Sequence, residues 1–296
     1  MSSSSIRRRI ALSQNFLHSR KLVDRLLAQS SISGEDLVVE IGPGTGIITE
    51  RLAQRCHEVL AVEADPELAR RLRRRFAGVP NVAVFATDFL AFPLPATAYK
   101  VFASIPFNIT AAIMTKLTGG AWTPDDAYLV VQCEAAAKIL GGPGESMVGS
   151  LLKPWFEPAL IHRFRPTDFI PPPGVDVVML RLRKRGPPLV TREDARCYRD
   201  FVVAVFTAWQ PTVRQALSHL VGKQFELEVK RQSGFDLDQP PTALSFDEWL
   251  ALFASIRDAN GNGTWRKIDG AEERLRQQQA GLQKVHRTRA GAQAKR

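Results

Sequence analysis

Short apolar runs recur along the first two-thirds of the chain, each followed by a segment whose apolar residues fall three or four positions apart. Leu37-Val38-Val39-Glu40-Ile41, Val59-Leu60-Ala61-Val62-Glu63, Val82-Ala83-Val84-Phe85-Ala86, and residues 100–103 and 127–132 read as buried strands. Segments 20–28, 47–55, 66–76, 111–117 and 134–140 read as the helices between them. Pro66 suits a helix N-terminus. Strands alternating with helices predict βαβ units and a parallel sheet covered on both faces. Residues 160–164 and 176–182 break the rhythm, because the proline-rich connection between them leaves no room for a crossover helix. They are expected to pair antiparallel. After the basic stretch 181–188 the pattern is helical throughout, over 192–209, 212–220, 225–232 and 245–257. Ser245 with Glu248 three positions on reads as an N-terminal cap.

The expected organisation is a basic arm over residues 1–18, an α/β domain over 19–184, a small all-helical domain over 185–259, and a basic, disordered tail over 260–296. The chain has 296 residues with 45% hydrophobic and 24% charged content, ordinary for a globular protein. No apolar run has the length of a membrane span, and the start lacks the apolar core of a signal peptide. The cysteines Cys56, Cys133 and Cys197 and the five histidines are scattered. A reducing, cytoplasmic setting with no metal site is therefore expected. A formal net charge of +10 selects a polyanionic partner. Residues 265–296 hold nine Lys/Arg against three acids, a net +6, and are expected to clamp phosphates. The arginines of 7–9, 70–75 and 181–185 are further candidates for that role.

The candidate chemistry sits at strand ends, where open α/β sheets bind ligands. Glu40-Ile41-Gly42-Pro43-Gly44-Thr45-Gly46 follows the first strand of the parallel series. It has glycines at alternate positions and Ile47 where the nicotinamide fingerprint needs a third glycine. The acid before it suits a ligand with an ammonium group rather than a pyrophosphate, as S-adenosylmethionine provides. Glu63 ends the next strand and suits a ribose diol; Asp88 ends the one after and suits an adenine amine, with Phe89 beside it. Ser104-Ile105-Pro106-Phe107 ends the fourth. There proline removes a backbone donor, leaving carbonyls to accept from an amine beside an aromatic ring that can stack on a base.

Together with Gln14-Asn15-Phe16-Leu17 and Phe169-Ile170-Pro171-Pro172-Pro173-Gly174-Val175-Asp176, these motifs resemble the rRNA adenine-N6 dimethyltransferases. Within that family the resemblance is to the Erm type, which confers macrolide–lincosamide–streptogramin B resistance by methylating an adenine of 23S rRNA. The resemblance spans residues 13–182 and the helical domain after them. It implies a Rossmann-like methyltransferase fold, S-adenosylmethionine as cofactor, protein-free or partly assembled 23S rRNA as substrate, and a monomer. It places Gln14, Asn15, Leu17, Glu40, Gly42, Gly44, Glu63, Asp88, Phe89 and Ser104 around the cofactor. Ser104, Ile105 and Pro106 fall at the target amine, and Phe107 and Phe169 on the two faces of the flipped adenine. The family usually carries asparagine where this chain has Ser104. The small-subunit enzymes, with Leu-Pro-Tyr in place of Ile-Pro-Phe, are the alternative. A non-catalytic RNA-binding factor on the same fold is opposed by the intact glycine loop, Glu63 and Asp88.

Overall fold

The computed structural model describes residues 15–105, 107–142, 144–221, 236–258 and 265–281. Residues 1–14 of the basic arm, with Gln14, and Pro106, the 225–232 helix and the end of the tail fall outside the described residues. By compactness the chain divides into residues 1–191 and 192–296.

The first unit is built on one large sheet. Its strands are β2 (Leu37–Ile41), β3 (Glu58–Glu63), β4 (Val82–Ala86), β5 (Lys100–Ser104), β6 (Asp126–Gln132), β7 (Phe156–Arg163) and β9 (Val177–Lys184). They lie in the order β4-β3-β2-β5-β6-β9-β7. The strands from β4 to β6 are parallel. Strand β9 runs antiparallel to both β6 and β7. The order reverses between β2 and β5, so a crevice opens beyond the carboxyl ends of those two strands. The helices α1 (Arg20–Ala28), α2 (Ile47–Ala53), α3 (Pro66–Arg75), α4 (Thr110–Gly119) and α5 (Cys133–Leu140) match the apolar spacing. The short helix α6 (Met147–Leu152) is not predicted by periodicity; Ser146 starts it by accepting from the Gly149 N–H at 3.0 Å.

Alternation along each strand feeds two cores. Val39, Ile41, Val101 and Ala103 pack with Ile113 and Leu117 on one face. Val38, Val59, Phe102 and Val130 pack with Leu22, Leu26 and Leu52 on the other. Two elements have no period to betray them. β1 (Phe16–Leu17) and β8 (Phe169–Ile170) form a separate antiparallel pair, Phe16 opposite Ile170 and Leu17 opposite Phe169.

The second unit contains α7 (Ala195–Thr207), α8 (Val213–Val221) and α9 (Phe246–Asp258). Its core is aromatic, with Tyr198 edge-on to Phe253 at 5.1 Å and Phe201 against Trp249 at 5.9 Å. The expected cap forms, since the Glu248 carboxylate accepts from both the backbone and the hydroxyl of Ser245. The tail departs from its expected disorder. Residues 265–281 hold α10 (Trp265–Ile268) and α11 (Ala271–Gly281). The reason lies far back in sequence. Buried Asp200 accepts from the Gly270 and Glu272 N–H groups at 2.8 and 2.9 Å, and Arg199 forks onto Glu272. Ile268 is fully buried. Among the described residues no helix is long and apolar enough to cross a membrane.

Candidate active site

Parallel pairing puts Ile41 opposite Ala103, so the glycine loop and the Ser104 segment leave the sheet side by side. Gly42 has φ +69°, and a Cβ there would sit 3.3 Å from the Ser104 carbonyl. Only glycine permits both the left-handed backbone and that approach. Gly44 has φ +56°, and a Cβ there would collide with the Phe16 ring. The Ile105 N–H still donates to the Val130 carbonyl at 3.3 Å, so Ser104 and Ile105 are held by the sheet itself. A single turn of 3-10 helix, Phe107–Ile109, then carries the chain into α4.

The β1–β8 pair closes the other wall. Asn15 donates to the Pro171 carbonyl at 2.7 Å, and the His18 ring bonds the Thr167 carbonyl at 2.9 Å. Leu17 and Phe169 are buried, and Phe169 meets Phe164 edge-on at 5.2 Å. His162 extends this aromatic row at 4.8 Å from Phe164, and burial lowers its pKa. The result is one pocket lined by Asn15, Leu17, Gly42, Ser104, Ile105, Phe107 and Phe169. Phe16, Pro43, Thr45, Ile47, Ile48 and Val130 complete it. Ile48 and Val130 carry no signal in the sequence, since no pattern distinguishes them from core residues.

The strand-end acids continue from this pocket along the sheet edge. Glu63 is buried and accepts from the Gly44 and Asp65 N–H groups at 3.0 and 2.9 Å. Burial raises its pKa against those two bonds. Each carboxylate oxygen keeps a second lone pair. Glu40 lies deeper, 1% exposed, with neither carboxylate oxygen hydrogen-bonded. Burial pushes its pKa up to about 8, with the Glu63 charge adding to the rise. Thr49 opposes it without closing a hydrogen bond. Asp88 is exposed two positions past β4, its Oδ1 accepting from the Leu90 N–H at 2.9 Å. Phe89 is a core side chain covered by the Lys116 ammonium at 5.1 Å from its ring centre.

This donor set fits S-adenosylmethionine. Two glycines clear a cradle that side chains would fill, and the unpaired buried carboxyl of Glu40, two residues before Gly42, would be drawn into its charged form by a cation bound nearby. Among the described residues no cluster of His, Cys, Asp and Glu could hold a metal ion.

Among the described residues, most of the arginines expected to meet phosphate have partners within the protein. Arg70 and Arg71 pair with Glu67. Arg75 bonds Glu50 and the Thr45 carbonyl, the latter at 2.6 Å, and so braces the glycine loop. Arg181 forks onto buried Asp126, and Arg183 and Arg185 pair with Glu157.

The family model for ribosomal RNA adenine dimethylase matches residues 6–258. The chain is 31% identical over 273 residues to the ribosomal RNA small subunit methyltransferase A of Pelotomaculum thermopropionicum, covering 86% of this chain and 92% of that one. It is 30% identical over 255 residues to the rRNA adenine N-6-methyltransferase of Saccharopolyspora erythraea, covering 86% and 67%. Among solved structures, the 23S rRNA methyltransferase ErmE superposes with a TM-score of 0.73 at 30% identity, covering 82% of this chain and all of that one. A dimethyladenosine transferase from Plasmodium falciparum shares the fold at a TM-score of 0.69 and 20% identity.

Proposed function

The chain belongs to the ribosomal RNA adenine dimethylase family, whose cofactor is S-adenosyl-L-methionine, and within it we propose that the protein methylates N6 of an adenine in 23S rRNA. The observation that carries this reading is the single pocket joining Asn15, Gly42, Ser104, Phe107 and Phe169, drawn from four distant motifs. On this reading Gln14, Asn15, Leu17, Gly42 and Gly44 hold the methionine end of the cofactor. Glu40, whose buried carboxyl keeps its proton up to about pH 8, is drawn toward its charged form by the cofactor's positive charge. Glu63 takes the ribose, and Asp88 with the turn around Phe89 takes the adenine. The cofactor, when bound, supplies a methyl group on a sulfonium, already a strong electrophile.

What the protein adds is placement. The exocyclic amine is a poor nucleophile because its lone pair is delocalised into the ring. Accepting both of its N–H bonds at Ser104 and Ile105 pyramidalises the nitrogen and frees the lone pair. The same carbonyl dipoles stabilise the positive charge that develops there. Pro106 has no N–H to compete for them. Phe107 and Phe169 hold the extruded base between them, and stacking on one aromatic ring is worth roughly 1–3 kcal/mol. The proton leaves to water after transfer.

Ile105-Pro106-Phe107 and the resemblance to ErmE support the large-subunit substrate and a role in macrolide–lincosamide–streptogramin B resistance, while the basic tail suits either RNA. The small-subunit reading is supported by the likeness to ribosomal RNA small subunit methyltransferases A. The test offers protein-free 23S rRNA and an immature small subunit to the enzyme with methyl-labelled cofactor. Label in 23S rRNA is expected; label confined to the small subunit overturns the large-subunit reading. In the same assay Phe107→Ala is expected to lose most turnover while keeping cofactor affinity.

A further inference from the structure

The turn that carries Asp88 is compact but exposed. The Asp88 side chain accepts from the Leu90 N–H, and its backbone carbonyl accepts from the Ala91 and Phe92 N–H groups at 3.0 and 3.1 Å. Those bonds leave the carbonyls of Leu90 and Phe92 pointing away from the turn. Both are taken by one side chain. Lys116 Nζ donates to Leu90 O at 2.9 Å and to Phe92 O, with the Phe89 ring beneath it. Lys116 lies on α4, a helix whose Ile113, Met114 and Leu117 are buried in the same core as Phe89 and Phe92. That helix begins three positions after Phe107. One cation therefore ties the turn at the end of β4 to the helix that leaves the target-amine segment at the end of β5.

We propose that Lys116 is a positioning residue for the cofactor's adenine end, fixing the Asp88 turn relative to the helix that follows the Ser104–Phe107 segment. The proposal rests on the reading of Asp88 as the acceptor for the cofactor's adenine amine. Asp88 has its Oδ1 committed to the turn, so Oδ2 is the atom left to meet a ligand, and the orientation of the turn sets where Oδ2 points. Two charge-assisted hydrogen bonds fix that orientation more firmly than the turn's own backbone bonds. Burial holds the Lys116 pKa down while the Asp88 charge pulls it up, so the two groups already sense each other.

The experiment measures S-adenosylmethionine binding by calorimetry and steady-state kinetics for Lys116→Met, Lys116→Arg, Asp88→Ala and the double variant Lys116→Met/Asp88→Ala. Methionine keeps the aliphatic packing and removes only the ammonium. Lys116→Met is expected to weaken cofactor binding roughly tenfold, the worth of one to two hydrogen bonds from a charged donor at a part-exposed site. KM for the cofactor should rise with it, while KM for RNA and kcat at saturating cofactor stay near wild type. A purely structural role would lower all of these together. Lys116→Arg should recover most of the affinity, and the double variant should bind no worse than Asp88→Ala. Wild-type cofactor affinity in Lys116→Met, with Asp88→Ala impaired, overturns the role of Lys116 and leaves the reading of Asp88 intact. Wild-type affinity in Asp88→Ala overturns the reading of Asp88 and the proposal with it.

Discussion

Asn15 donates from Nδ2 to the Pro171 carbonyl at 2.7 Å, joining segments 156 positions apart in sequence. The bond extends the two-residue pairing of Phe16 with Ile170 and Leu17 with Phe169, and so helps to hold together the wall of the pocket that this pair forms. In so short a pair it shares the task of holding the register with the His18–Thr167 bond. Asn15→Ala removes a hydrogen bond worth about 1 kcal/mol. Cofactor affinity, read by calorimetry, is expected to fall about fivefold, the equivalent of that energy. Unchanged affinity would show that β1 holds its place without Asn15.

Glu40 makes the fold itself pH-dependent. Its carboxyl ionises near pH 4.5 in the unfolded chain but at about 8 in the folded protein, because burial disfavours the charged form. A group that holds its proton more tightly when folded stabilises the fold fully below pH 4.5, and that contribution is lost as pH rises through 8. Glu40→Gln stays neutral at every pH. Wild type and variant are expected to melt together near pH 4.5, with the variant melting progressively higher toward pH 8. The gap should reach several degrees, since about 1 kcal/mol moves the midpoint of a domain this size by about 2–4 °C. A constant gap across that range would exclude Glu40 as its source.

The parallel sheet was legible because each strand is an apolar run ending in a polar signal, and strand ends are where such sheets bind ligands. Gly42, Glu63, Asp88 and Ser104 could therefore be placed at one edge of the sheet from sequence, but not in their order along it, because the strand order β4-β3-β2-β5 sets Gly42 beside Ser104 and Asp88 farthest from it. What sequence could not give was pairing at a distance. The arginines of 70–75 and 181–185 looked available for phosphate, yet Arg75 reaches back to Thr45 and Arg181 reaches Asp126. Phe89 looked like a ligand-facing ring because it follows Asp88, but the turn at Asp88 sends it into the core. The tail looked disordered because α11 is polar nearly throughout; what anchors it is Asp200, some seventy positions earlier.

That anchoring relocates the cut needed to test the tail. Truncation after Gly263 would delete Ile268 and the partners of Asp200, and a loss of activity would then report lost packing. Truncation after Gly281 spares α10 and α11 and still removes Lys284, Arg287, Arg289, Lys295 and Arg296. The shortened protein is expected to keep its melting temperature and cofactor affinity. Its RNA half-saturation should rise, and its salt dependence should flatten by about one unit of slope for each phosphate that the missing cations no longer neutralise. An unchanged RNA titration would remove the tail from the interface.

Ser104 is where the chain departs from the asparagine that its family resemblance leads one to expect. A serine hydroxyl can accept from the target amine, but an asparagine carbonyl stands further from the backbone and offers a fixed pair of acceptor sites. The difference matters most for a second transfer. A monomethylated amine has one N–H left, and it must turn its lone pair toward the cofactor while that N–H stays held. With a short hydroxyl, the hold on this intermediate falls mainly to the Ile105 carbonyl, so the second methyl should be added more slowly than the first. Ser104→Asn is expected to raise the ratio of dimethyl- to monomethyladenine roughly fivefold, the worth of one hydrogen bond. Mass spectrometry of nuclease-digested RNA from reactions stopped at equal total methylation gives that ratio. Calorimetry should show cofactor affinity unchanged, because the substitution acts on the amine. An equal ratio in the two proteins would mean that the Ile105 carbonyl alone governs both transfers.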